Sequence, residues 1–309
     1  MAVPILIDCD PGHDDAIALL LAFASPEVEL LGVTTVAGNQ TLEKTTTNAL
    51  KILEFAGRTE IPVAAGAARP LVRSPYVAAY VHGETGMDGP ELPPPETAPV
   101  AEHAVDLLAD RLRRSEQPVT LVPTGPLTNI GLLLARFPDL VERIERIVLM
   151  GGAIAEGNVT PAAEFNIWAD PEAAARVFTS GVDLTMIGLD VTHRALFRPA
   201  DSERVAATGR TGKLVAELFA FYQQFHSQQY GWDGSPVHDA VAVAHVVRSD
   251  LVETALRGVV VDTGGELSRG RTYVDLWHRA GWEPTVHVAV EIDAQGFIDF
   301  LVERIASLG

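Results

Sequence analysis

The chain has 309 residues, 47% hydrophobic and 21% charged, a globular composition that excludes collagen, extended disorder and a disulfide scaffold. Its formal charge of −18, from 41 acids against 23 bases, repels phosphate backbones and anionic lipid, so no nucleic-acid and no membrane partner is expected. The single cysteine, Cys9, rules out an intramolecular disulfide and suits a reducing compartment.

The opening MAVPILIDCD lacks the basic region and long apolar stretch of a secretion signal, so a cytoplasmic protein is expected. Residues 3–7 form a short apolar run that reads as a strand buried on both faces, and residues 14–23 follow as a helix. The pattern repeats with a strand at 30–36 and a helix at 42–55. Residues 69–99, dense in Pro and Gly, read as a long irregular segment, the kind that forms functional lids. A helix at 101–114, strands at 119–122 and 147–150, and a helix at 171–178 come next, the last with Asp170 as N-cap and Pro171 in its first position. Further strands are predicted at 184–189, 258–261 and 285–292, and a closing helix at 296–307. Residues 221–236, mixing aromatics with Gln and Gly, read as a second irregular segment. No low-complexity linker divides the chain. The alternation predicts one large α/β domain, Rossmann-like, with a mostly parallel central sheet flanked by helices and a site at the carboxyl ends of the strands.

Polar residues gather at those strand ends. The first strand runs into Asp8-Cys9-Asp10-Pro11-Gly12-His13-Asp14-Asp15, the second ends near Thr35 and Asn39, and later ones end in Pro123-Thr124-Gly125-Pro126 and Met150-Gly151-Gly152. His238-Asp239 opens a helix near the C-terminal third. Four aspartates within eight residues repel one another unless a cation or raised pKa values relieve them. Hard oxygen ligands without clustered Cys or His point to Ca²⁺ or Mg²⁺, and ligands drawn from separate loops favour Ca²⁺. The plainer reading has Asp8 as a structural partner and Asp14 and Asp15 as helix-start acids.

The octet from Asp8 to Asp15 closely resembles the N-terminal signature of the nucleoside hydrolases, of the inosine/uridine type. The resemblance continues through Val33-Thr34-Thr35-Val36-Ala37-Gly38-Asn39, Pro123-Thr124-Gly125-Pro126-Leu127-Thr128-Asn129, the blocks at Met150 and Glu164-Phe165-Asn166, and Pro236-Val237-His238-Asp239-Ala240. It implies a Ca²⁺-dependent hydrolase that cleaves ribonucleosides such as uridine, cytidine or inosine to free base and ribose, assembled as a homodimer or homotetramer. On that resemblance Asp10, Asp15, the carbonyl of Thr124 and Asp239 hold the ion, and Asp10 doubles as general base. Asp14, Asn158, Glu164 and Asn166 grip the sugar hydroxyls, Asn39 lies near the metal and its water, and Met150 touches the sugar face.

The residue types fit this chemistry on their own terms. Breaking an N-glycosidic bond develops positive charge on the ribose, which a carboxylate-rich pocket stabilises. The departing base needs a proton, and His238, next to a proposed metal ligand, is the expected donor. His82, in Val81-His82-Gly83-Glu84-Thr85-Gly86, is a second candidate. Tyr230 and Trp232 stand where a segment could close over the base. His13 is expected to cap or orient its turn, and His226, His245, His278 and the other histidines to be structural or solvated. A haloacid-dehalogenase-type phosphatase would also place Asp8-Cys9-Asp10 after a strand, but Gly12 breaks that pattern and Asp14-Asp15 has no role in it. A non-catalytic nucleoside binder is the remaining alternative.

Overall fold

The computed structural model describes residues 2–309. The first apolar run becomes β1 (Val3–Cys9), buried from Pro4 onward on both faces, which requires a layer of structure on each side. Ile5, Ile7 and Cys9 pack with α1 (His13–Phe23), α2 (Leu42–Phe55), α10 (Arg210–Tyr230), α11 (His238–Val247) and α12 (Ala294–Ala306). Leu6 points the other way, into a second core with α4 (Ala104–Arg114), α5 (Thr128–Arg136) and α7 (Pro171–Phe178). Alternate residues of one strand thus hold the two helical layers onto the sheet.

That sheet has eight strands in the order β3-β2-β1-β4-β5-β6-β12-β9. It comprises β1, β2 (Val28–Thr35), β3 (Val63–Ala65), β4 (Val119–Pro123), β5 (Ile144–Met150), β6 (Leu184–Ile187), β9 (Val252–Arg257) and β12 (Val286–Ile292). All neighbours are parallel except β12 and β9. From β1 the chain builds outward to β3, then returns to lay β4 on the opposite side of β1. Such a reversal opens a crevice at the carboxyl ends of the strands. Asp8 sits there in register with Thr34 of β2 and Pro123 of β4, so the loops that follow these strands meet.

Three expectations are corrected. Residues 221–230 are not irregular: they finish the 21-residue α10, which stops at Gly231 in the left-handed region (φ 68°). The run at 258–261 does not join the main sheet, because β10 (Val259–Val261) folds back on β11 (Thr272–Val274) as a separate antiparallel pair. The helix predicted from residue 101 begins at Ala104, where His103 Nδ1 accepts the Val105 N–H at 3.2 Å. Residues 69–99 are irregular as expected apart from the single turn α3 (Ala79–His82). The short elements α6 (Phe165–Ala169), α8 (Leu189–Thr192), α9 (Pro199–Ala206), the pair β7 (Leu196–Phe197) with β8 (Ser235–Pro236), and 3-10 turns at Pro138–Arg143 and Ser249–Leu251 complete the structure. Among the described residues no helix is long and apolar enough to cross a membrane.

Candidate active site

The crevice at the β1–β4 switch point is a cavity lined by polar, acidic and aromatic side chains. Its floor is acidic. Asp14 and Asp15, on the first turn of α1, and Asp239, on the first turn of α11, bring carboxylate oxygens within 4.8 Å of one another. All three are buried. Burial and then mutual repulsion push Asp14 up to about 8 and Asp239 well above the carboxylate range, while Asp15 is raised by burial. No lysine or arginine lines the cavity.

Asp10 lies beside this trio rather than within it. Its Oδ2 accepts the Asn39 backbone N–H at 2.6 Å, and its Oδ1 is buried with no hydrogen-bond partner. Burial, followed by the charge of Asp15, pushes its pKa well up. Gly38 and Gly125 make room for it, since a Cβ at Gly125 would come within 2.5 Å of Oδ1 and one at Gly38 would overlap Oδ2. Asp15 is better satisfied: Oδ1 takes the Thr124 hydroxyl at 2.8 Å, and Oδ2 takes the Gly12 N–H at 3.0 Å and the Asn39 side-chain amide at 3.1 Å. Asp8 stays outside. Its Oδ1 accepts from Thr34 Oγ1 at 2.6 Å and Asn129 Nδ2 at 2.8 Å, which removes the nucleophile a phosphatase would need from the cleft.

Whether these residues suit a cation is answered by their unmet bonds. Asp10 Oδ1 and Asp14 Oδ1 are both buried and unpartnered, and converging carboxylates without a counter-charge cannot all ionise in place. A hard divalent cation supplies both the bonds and the charge.

Amides and one more acid line the next stretch. Asn166 donates its side-chain amide to the Thr124 carbonyl at 2.6 Å and the Met150 carbonyl at 3.1 Å, so the carbonyl expected to bind metal already accepts one bond and keeps a second lone pair. Glu164 caps α6, its two oxygens taking the N–H groups of Asn166, Gly152 and Ile167, and burial raises it to about 7. Asn158 Oδ1 accepts the Phe165 N–H at 2.9 Å, leaving its amide nitrogen free to donate. Met150, 3% exposed, also lines the cavity.

Part of the lining is aromatic. His82, His193, Tyr222, Phe225, His226 and His238 line it, with Tyr230 and Trp232 stacked at the rim, ring centroids 4.7 Å apart. His238 Nδ1 meets the Thr192 hydroxyl at 2.8 Å, and burial with the neighbouring imidazoles holds both His238 and His82 well below the usual histidine range. His226, expected to be structural or solvated, lines this wall, and Tyr222, Phe225 and His193 join it without having been singled out. Their signal was present in the sequence: Tyr222, His226 and Tyr230 recur every four residues and so share one face of α10. His13 is buried in the stack against His82 and Phe221 rather than merely capping its turn.

Comparison with known proteins identifies this arrangement. Residues 5–299 match the family model described as inosine-uridine preferring nucleoside hydrolase. The chain belongs to that nucleoside hydrolase family. It is therefore an enzyme, a ribonucleoside hydrolase acting on N-glycosyl compounds. It is 52% identical over 307 residues, covering 99% of both chains, to the pyrimidine-specific ribonucleoside hydrolase RihA of Salmonella typhimurium. It is 50% identical, with the same coverage, to RihA of Escherichia coli O1:K1 / APEC. Among solved structures it superposes on the purine-preferring ribonucleoside hydrolase from Gardnerella vaginalis with a TM-score of 0.93 at 35% identity, covering 99% of this chain and 98% of that one. A plant nucleoside hydrolase, PpNRh1, gives 0.92 at 33% identity and 99% coverage of each.

Proposed function

We propose that this nucleoside hydrolase cleaves pyrimidine ribonucleosides, uridine and cytidine ahead of inosine, in a Ca²⁺-dependent reaction. The observation that carries the reading is that one cleft is lined both by carboxylates and side-chain amides and by imidazoles and aromatic rings. A nucleoside offers the complementary parts, sugar hydroxyls and a flat base. The identity to the RihA enzymes over nearly the whole chain supports the pyrimidine preference.

Asp10, Asp15, Asp239 and the Thr124 carbonyl hold the ion, with Asp14 beside them. Bound there, a divalent cation supplies a water of lowered pKa and an anchor for sugar hydroxyls. Asp10 Oδ1, the unpartnered oxygen, accepts the proton of the attacking water. Asn39 orients Asp10 and Asp15 together through its backbone and side-chain N–H groups. Asp14, Asn158, Glu164 and Asn166 bind the sugar, and their oxygen-rich setting stabilises the positive charge that grows on C1′. Because such a pocket leaves buried polar groups unmet without a 2′-hydroxyl, ribosides are preferred to deoxyribosides. His238 delivers a proton to the leaving base, with Tyr230 and Trp232 shielding the base end.

The reading includes a homodimer or homotetramer, tested by sedimentation of the intact chain. The reaction is tested by chromatographic release of free base and ribose from uridine, cytidine, inosine and their deoxy counterparts, with chelator and with Ca²⁺ added back. Release from pyrimidine ribosides that chelation abolishes and Ca²⁺ restores is the expected result. Equal or faster release from inosine overturns the pyrimidine preference, and release untouched by chelator overturns the metal assignment.

A further inference from the structure

The loop after β5 carries Asn158 and Glu164, which line the cavity, and it is gripped from outside the cavity by a residue far away in the sequence. Thr272, the first residue of β11, is buried, and its hydroxyl donates to the Ala153 carbonyl at 2.6 Å and accepts the Ala153 N–H at 2.9 Å. The direction of both bonds is fixed, because a carbonyl can only accept and a backbone N–H can only donate. One side chain thus takes up both backbone groups of a loop residue, as a paired strand residue does.

The grip reaches the cavity in one further step. The N–H of the preceding residue, Gly152, donates to Glu164 Oε2 at 2.9 Å, and Glu164 Oε1 takes the Asn166 N–H at 2.8 Å. Packing here is close: Gly152 has a φ of 75°, and a Cβ on it would come within 2.9 Å of Met186 Sδ and 3.0 Å of Thr272 Cγ2. The support behind Thr272 is firm, since it pairs in register with Val261 of β10, whose side chain belongs to the second core. The two-stranded pair that stands apart from the main sheet therefore buttresses this loop. On the other flank Asp190 accepts the Ile154 and Ala155 N–H groups at 2.6 and 3.1 Å. Losing the Thr272 hydroxyl leaves that second hold in place, so the loop shifts rather than unravels.

We propose that Thr272 is a positioning residue for sugar recognition, which sets the place of Glu164 and Asn158 through its paired bonds to Ala153. This rests on the hydrolase reading of the same cleft. In Thr272→Val a methyl replaces the hydroxyl, and a carbon needs about 3.5 Å where the oxygen sits at 2.6 and 2.9 Å. Ala153 is pushed back, and kcat/KM for uridine, cytidine and 4-nitrophenyl riboside falls at least about tenfold, since displacements of up to ~1 Å cost that much. The factor is the same for all three because they share the ribose, and KM rises for each. Thr272→Ser keeps the hydroxyl and restores the wild-type KM. A loss confined to kcat at unchanged KM means fewer folded molecules and overturns the proposal, as does an equal loss in the serine variant. A changed Ca²⁺ midpoint for activity in Thr272→Val places the effect at the acidic floor and also overturns it. Amide exchange in the substrate-free enzyme gives a readout independent of turnover: the Ala153 N–H loses protection in Thr272→Val and keeps it in Thr272→Ser, and unchanged protection in the valine variant overturns the proposal. Absence of turnover of every riboside by the wild type defeats the hydrolase reading instead, and the exchange data still decide whether Thr272 holds the loop.

Discussion

Asp10 and Asn39 are joined by a 2.6 Å hydrogen bond from the Asn39 backbone N–H to Oδ2, which leaves Oδ1 as the one oxygen of that carboxylate without a partner. The bond ties the end of β1 to the loop after β2 and leaves a single oxygen of the carboxylate free to accept. Asp10→Asn keeps an oxygen for the Asn39 N–H while removing the proton acceptor. The expected outcome is a fall in kcat of about 10²–10⁴, typical for a lost general base, with a circular dichroism spectrum and melting temperature close to wild type. Unchanged turnover would sink the assignment of Asp10 as base.

Metal removal should be visible in stability as well as activity. The carboxylates of Asp14, Asp15 and Asp239 converge with no lysine or arginine among the cavity-lining residues, so a bound cation stabilises the native state over an unfolded chain that cannot gather them. At about 100 times the dissociation constant the gain is roughly 2.7 kcal/mol, several degrees of melting temperature. Scans with chelator, with Ca²⁺ and with Mg²⁺ check this. Identical melting in all three would argue that the acids hold no ion.

Much of this site was legible in the sequence because parallel strands place their functional residues at one end, directly after each apolar run. Asp10, Asp15, Asn39 and Thr124 could be found that way, each standing just beyond a strand buried on both faces. The aromatic wall was less legible. Residues 221–230 looked irregular because Gln and aromatic residues obscure the apolar stripe, yet Tyr222, His226 and Tyr230 repeat at helical spacing and α10 carries them into the cavity. The role of Asp8 was ambiguous for a different reason. Alternation along β1 cannot say whether a strand-end acid faces ligand or protein, and it was tertiary contact with Thr34 and Asn129 that decided. The edge strand β9 was missed because its half-exposed, charged pattern is that of an antiparallel edge rather than a buried run.

Gly38 offers a test of space rather than charge. Its φ is not in the left-handed region, so alanine is conformationally allowed there, but an added Cβ would overlap Asp10 Oδ2 and press on Pro126, 2.8 Å away. Gly38→Ala therefore displaces the Asp10 carboxylate. Turnover is expected to drop by at least about tenfold, since small misplacements of reacting groups cost that much, and Ca²⁺ affinity should weaken in parallel. Gly57→Ala is the stability control, because nothing lies within 4 Å of a Cβ there although its φ of 67° is strained. It is expected to lose stability while keeping wild-type turnover, and the reverse pattern in the two variants would contradict the crowding argument.

His245 predicts a pH dependence of stability remote from the active site. It is buried in the last turn of α11, its Nδ1 has no partner, and burial, then the nearby Arg146 and His287, hold its pKa down at about 4. An unfolded histidine titrates near 6.5, so between these values the unfolded chain binds more protons than the native one. The stability contributed by a neutral His245 is complete above 6.5 and is lost as pH falls towards 4, amounting to roughly 2 kcal/mol at pH 5. Arg146 and His287 are the basic groups that act on it, and neither offsets its protonation. Urea unfolding at pH 5, 6 and 7 should therefore show a shallower acid-side loss in His245→Gln than in the wild type, whatever the absolute stability of the variant. A slope unchanged by the substitution would mean that His245 is already protonated in the native protein or finds a partner on protonation.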